Sequence, residues 1–106
     1  MLKIDVQNVP SQTFTVDIED KELDVSIRYI SRGDYFTISI IVDDELVING
    51  MRLVSGIDIF KAFNLFDGGI YVVNSAEYTG DPKMGTWGDS TELFYFTSEE
   101  VELTNG

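Results

Sequence analysis

The stretch "ELDVSIRYISRGDYFTISIIV" (22–42) decides the fold. Read in steps of two, Leu23, Val25, Ile27 and Tyr29 fall on one side, and Glu22, Asp24, Ser26 and Arg28 on the other. Past a short break, Phe36, Ile38, Ile40 and Val42 resume the same alternation. A period of two is that of a β-strand with one dry and one wet face, whereas a helix repeats at 3.6. Two such runs joined by "SRGD" (31–34) read as an antiparallel hairpin. Arg32-Gly33-Asp34 is also the tripeptide that adhesion ligands show to integrins. A turn accounts for each of these residues, because a hairpin tip uses a glycine free to take positive φ beside a polar neighbour.

Upstream, "TFTVDIE" (13–19) alternates in the same way, with Phe14, Val16 and Ile18 on the dry side and a turn at Asp20-Lys21. Downstream, Asp43-Asp44-Glu45 is a turn leading into "ELVI" (45–48). Asn49-Gly50 then either closes a short hairpin or marks a glycine bulge within a longer strand. Ser55 and Asp58 have the spacing of an N-cap and capping box. Ile59, Phe60, Phe63 and Phe66 recur at threes and fours, so the pattern predicts a helix ending near "DGG" (67–69). "IYVVN" (70–74) and "TELFYFT" (91–97) return to strand. The expected fold class is mainly β, a small antiparallel barrel or sandwich with one short α-helix (about 57–65). It occupies a single domain, 1–97, followed by an acidic C-terminal tail, 98–106. In the last strand Phe94 and Phe96 point to one face and Leu93 and Tyr95 to the other. Both faces therefore need cover, from the helix or from a partner.

Between the last two strands lies "SAEYTGDPKMGTWGDS" (75–90), long for a connection in a compact domain and home to the sole Trp. Tyr78, Met84 and Trp87 are its candidate partner anchors, because large aromatics and Met are enriched at interface centres. The other reading of Trp87 is a loop folded back onto its own domain.

Composition narrows the chemistry. Seven basic against nineteen acidic side chains leave a net charge of −12, which repels phosphate backbones and anionic membrane surfaces alike. No direct nucleic-acid affinity and no membrane association are expected. With no Cys and no His, disulfide staples, thiol chemistry and His-based triads are gone. Carboxylate catalysis would remain, but the acids fall on wet strand positions and turn tips, where solvated carboxylates ordinarily lie. No enzyme, no catalytic residue and no cofactor are expected. "DDE" (43–45), Asp81, Asp89 and Glu92 offer oxygen ligands without the spacing of a calcium loop, so no metal site is assigned. "MLKIDVQNVP" has Asp5 where a signal peptide needs an apolar run, and folding in a cytoplasm is expected.

Several ordered pieces together resemble a known family. "NVPSQTF" (8–14), "INGMRLVSGIDIF" (48–60) and the closing "DP" to "STELFYF" (81–96) follow one another as in the small baseplate plug proteins of contractile-tailed bacteriophages. These are turn and core motifs; none is catalytic. The resemblance implies a structural protein of the virion tail baseplate, assembled in the host bacterial cytoplasm. Its partners would be hub, tube and spike proteins, with a homo-oligomer as one form, and its work would be tail assembly and channel closure. The strong negative charge suits a part beside a DNA conduit. The rival reading is an acidic soluble binding module or inhibitor that mimics DNA charge, which would need its acids ordered along one face.

Overall fold

The computed structural model describes residues 2–60, 67–75, 78 and 80–100. Among them run seven strands: β1 (Leu2–Ile4), β2 (Ser11–Ile18), β3 (Lys21–Ile30), β4 (Tyr35–Val42), β5 (Glu45–Arg52), β6 (Gly69–Asn74) and β7 (Thr91–Phe96). They form a four-stranded antiparallel meander, β2-β3-β4-β5, and a three-stranded antiparallel sheet, β1-β7-β6.

The alternation read from the sequence becomes register. Leu23 lies opposite Val42, Val25 opposite Ile40, Ile27 opposite Ile38 and Tyr29 opposite Phe36, so the dry rows of β3 and β4 merge. Ile70, Val72 and Leu93 face them from the second sheet, and all three are buried. Phe36 meets Trp87 edge-on at 5.8 Å, tying the meander to the loop before β7. The molecule's least dimension is 21 Å, which accommodates two sheets packed about 10 Å apart with side chains on both sides. Among the described residues the sheets keep separate edges, so the architecture is a sandwich and not a closed barrel.

The hairpins are tight. Glu19-Asp20 joins β2 to β3 with φ of 51° and 65°, and Asp43-Asp44 joins β4 to β5 with φ of 48° and 70°. Two positive φ values in a two-residue loop give the I′ turn whose twist matches the strands. The first turn thus lies one residue earlier than Asp20-Lys21. At the "SRGD" tip the positive φ falls on Asp34, at 53°, and not on Gly33. Gly33 is needed for space instead: a Cβ there would stand 2.5 Å from the Tyr35 ring.

Asn49-Gly50 does not end a strand. β5 runs through it, with Gly50 at φ 69° and register slips against β4 between Ile38 and Ile41, which is a bulge. Beyond β5, Ser55 bridges Val72 in parallel, and the N–H groups of Gly56 and Ile59 donate to the carbonyls of Val72 and Ile70. Residues 55–59 therefore lie along the outer edge of β6.

Of the helix expected over about 57–65, the described part, 57–60, is bend and turn, and 61–66 lie outside the described residues. The capping box does not form. The Ser55 N–H donates to Asp81 Oδ1 at 3.2 Å, while Asp58 Oδ1 accepts from the N–H groups of Phe60 and Ile70 at 3.0 and 3.2 Å. Gly68 and Gly69 serve close approach. A Cβ on Gly68 would strike the Phe96 carbonyl oxygen, and one on Gly69 would reach the Asp58 carboxylate. A helical turn does open at 98–100, with a capping box of its own. Thr97 N–H donates to Glu100 Oε1 at 3.0 Å, and Glu100 N–H to Thr97 Oγ1 at 3.3 Å. The pattern "TSEE" (97–100) signals it.

Candidate functional site

Every hairpin connection leaves the sandwich at one of two ends, and the ends differ in chemistry. One carries the β3–β4 tip, the end of β5 and the described residues of the loop 75–90, among them the three candidates Tyr78, Met84 and Trp87.

Asn8 organises this end. Its Oδ1 accepts from the N–H groups of Gly85 and Trp87 at 3.1 and 3.0 Å, and its Nδ2 donates to the Trp87 carbonyl at 2.7 Å. One amide side chain thus satisfies three backbone groups of a segment 77 to 79 residues away. "NVPSQTF" and the approach to "STELFYF" are physically clamped together here. Thr86 closes the loop on itself, its hydroxyl donating to the Lys83 carbonyl at 2.8 Å. Asn74 Nδ2 donates to the Gly80 carbonyl at 2.7 Å, and Asn74 Oδ1 accepts from the buried Thr91 hydroxyl at 3.2 Å. Such satisfaction of loop backbone is what a fixed platform needs.

The three candidates occupy different situations. Trp87 is only 3% exposed and belongs to the core. Tyr78 is half-buried, its hydroxyl donating to the Asp81 carbonyl at 2.6 Å. Met84 is the one with an exposed side chain, at 37%. Val9, next to Asn8 in the chain, is equally exposed at 37%, and sequence reasoning misses it. No periodic signal marks it, since 8–10 lie outside the strands.

The "RGD" tip joins this end through Asp34. Its Oδ1 accepts from the Tyr29 hydroxyl at 2.6 Å, and its Oδ2 lies 3.5 Å from Lys83 Nζ. The Tyr29 hydrogen bond lowers the carboxyl's proton affinity; burial opposes it, and Lys83 and the Met84 backbone add to the lowering. The aspartate is engaged within its own molecule, as a turn residue should be. Nearby, Arg52 stacks over the Tyr35 ring, 4.7 Å from its centroid, and lies 3.9 Å from Asp81.

The opposite end is acidic. Asp17, Glu19, Asp20, Glu22 and Asp43 line one shallow recess, a concentration that the linear spacing of these residues does not reveal. Glu19 has a structural task there. Its Oε1 accepts from Asp67 N–H at 2.9 Å and its Oε2 from Gly68 N–H at 2.9 Å, with the Tyr95 hydroxyl also donating to Oε2. Burial pushes the Glu19 carboxyl upward, but the bonds from Tyr95, Gly68 and Asp67 outweigh it and hold the group below its ordinary value. Burial first, then Glu19, push the Tyr95 phenol up.

The oxygen ligands named from sequence are dispersed. Glu92 pairs with Lys3 at 2.9 Å, and Asp81 is turned to Ser55 and Arg52. Among the described residues no three carboxylates gather as metal ligands would. Glu19 and Asp34 are both shifted towards the ionised form, opposite to the raised value that a general acid requires. Among the described residues no helix is long and apolar enough to cross a membrane.

The outer face of the three-stranded sheet carries Tyr71, Val73, Phe94 and Phe96. Phe96 contacts Tyr71 and Phe94 at 5.8 and 6.0 Å between ring centroids. The two-sided apolar character read from "LFYF" is therefore real, with Leu93 buried on the inner side.

A family model described as cyanophage baseplate Pam3 plug gp18 matches residues 1–99. No curated protein matches the chain.

Proposed function

Since this chain belongs to the phage baseplate plug family typified by the cyanophage Pam3 plug gp18, we propose that it acts in the tail baseplate by being held in place. In this reading its loop end binds hub, tube or spike proteins, and the bound protein closes the tail channel until infection. It transforms no substrate. The observation that carries the reading beyond membership is the Asn8 clamp: a long loop fixed at three backbone groups, with Met84 and Val9 beside the clamped residues in the chain and exposed. Rigid presentation of exposed apolar side chains lowers the ordering cost of docking. Tyr78 and Trp87 contribute by shaping the loop, Trp87 from within the core.

The test is incorporation. A Met84→Lys, Val9→Asp double variant alters only exposed side chains, so its melting temperature should stay within about 2 °C of the parent. Incorporation into purified tails, measured by quantitative mass spectrometry, should fall sharply. Normal incorporation of the folded variant would remove the loop end from the interface. Particles that lack the chain yet assemble tails and retain DNA would end the plug reading itself.

A further inference from the structure

The two sides of the sandwich treat their strand edges differently. On the β5/β6 side both edges are blunted. β5 is bulged at Gly50, and residues 55–59 hydrogen-bond along β6. On the other side β2 runs Ser11–Ile18 in unbroken register with β3, and among the described residues nothing pairs with its outer edge. β2 contains no Pro, Lys or bulge, the usual means of protecting an exposed edge.

Register tells which groups face outward. Tyr29 N–H donates to the Pro10 carbonyl at 2.8 Å, so the pairs that exchange bonds with β3 are Gln12, Phe14, Val16 and Ile18, by antiparallel alternation. Ser11, Thr13, Thr15 and Asp17 therefore point their N–H and C=O groups away from the sheet. On the dry face of this strand Phe14 and Val16 are only half-buried, although their partners Val25 and Leu23 are buried. The wet face beside it is acidic: Asp17 pairs with Glu22, and Thr15 with Asp24, which accepts the Thr15 hydroxyl at 2.9 Å.

We propose that β2 accepts an extended segment of another protein as a fifth strand of the meander, and that this segment alternates apolar with basic residues. Its apolar side chains complete the cover of Phe14 and Val16, while its Lys or Arg side chains lie beside Asp17, Glu22 and Asp24. Main-chain bonds to Thr13, Thr15 and Asp17 supply affinity, and the alternating pockets and charges supply selectivity. A second copy of this chain is a poor occupant: it would bring a further charge of −12 and no base on β2 itself. The inference deepens the baseplate reading by naming the chemistry of a neighbour, and it rests on that reading for the neighbour's source.

The probe is a synthetic peptide, Lys-Val-Arg-Val-Lys-Val-Thr, with a control in which Glu replaces each base. On adding the first peptide to the isotope-labelled full chain, the amides of Thr13, Thr15 and Asp17 should slow in hydrogen exchange by roughly tenfold or more. Those of Phe14 and Val16, already bonded to β3, should change little. Thr13→Pro removes one outward N–H at an edge position that tolerates proline. It should weaken peptide binding by roughly tenfold, about the loss of one hydrogen bond, while β3 amides keep their protection. Protection elsewhere, binding indifferent to Thr13→Pro, or equal binding of the acidic peptide would each overturn the proposal. So would concentration-dependent protection of the same amides without peptide, which would identify a second copy as the occupant. In tails, a folded Thr13→Pro protein that incorporates normally defeats strand addition and leaves the plug reading intact. Absence of the unmodified chain from tails defeats the plug reading alone.

Discussion

Trp87 carries the one buried side-chain donor among the described residues that lacks an acceptor, its indole Nε1. An unpaired buried N–H costs about 1–3 kcal/mol, so the ring must be retained for its packing against Phe36. Two substitutions, both without the indole donor, weigh the packing. Trp87→Ala should destabilise by about 3–5 kcal/mol through the cavity it leaves. Trp87→Phe keeps a ring against Phe36 and removes the orphaned donor, so it should cost less than half as much. Urea unfolding followed by circular dichroism measures both, and equal losses would show that the ring contact with Phe36 is not what holds residue 87 in the core. It follows that Trp87→Ala is a poor probe of partner contact, since lost assembly would report lost folding. Nothing in "KMGTWGDS" (83–90) reveals this. A tryptophan at an interface and one in a core share the same chemistry, and the choice is made by Asn8, far away in sequence.

At the scale of elements, the strands were legible because alternation is a local property that burial then enforces. The meander's registers and the two-sided apolar pattern of β7 follow from it directly. The stretch after β5 was less legible. Ile59 and Phe60 are both buried and so fit a helical spacing, but the Ile59 N–H and the Asp58 carboxylate are engaged with β6. Sequence periodicity records which residues are buried, and a turn against a sheet edge can bury the same ones. The Glu19 clamp was also hidden, because it joins the β2–β3 turn to Gly68, just before β6, and to Tyr95 of β7.

That clamp makes a prediction with a definite pH window. The Glu19 carboxyl is held below its ordinary value in the folded protein, so the folded state binds its proton less tightly than the unfolded chain does. Its contribution is therefore fully present above the unfolded value, about 4.3, and is lost as pH falls through the lower folded value. Glu19→Gln would set an N–H donor against the N–H of Asp67 or Gly68. It should cost roughly 1–2 kcal/mol at neutral pH, moderated by the partial exposure of the site. The difference between parent and variant should shrink on acidification below about pH 4. Urea denaturation at pH 7 and pH 3.5 measures it, and a difference that grows on acidification would refute the clamp.

For the whole molecule, the distribution of charge matters more than its sum. The loop end balances Arg32, Arg52 and Lys83 against Asp34, Asp81 and Asp89, with two close pairs among them. The turn end crowds Asp17, Glu19, Asp20, Glu22 and Asp43 around one recess, and Asp44 and Glu45 follow Asp43 directly in the chain. The −12 charge was legible from composition, but its polarity required the two I′ turns to be brought side by side. An acidic pole of this kind repels itself, and the repulsion should be visible as a salt effect. Sodium chloride screens exposed charges beyond about 10 Å at 0.1 M and beyond about 3 Å at 1 M, so the melting temperature should rise with salt. Asp44→Asn keeps a residue tolerant of positive φ while removing one charge from the pole. At low ionic strength it should raise the melting temperature by about 1–3 °C, with most of the gain gone in 1 M salt. Any part of the gain that survives in high salt belongs to the turn preference of Asn, so the two causes separate within one calorimetric series. A gain independent of salt would mean that the pole is already relaxed by solvent, and that the protein's electrostatic polarity has no bearing on its folding.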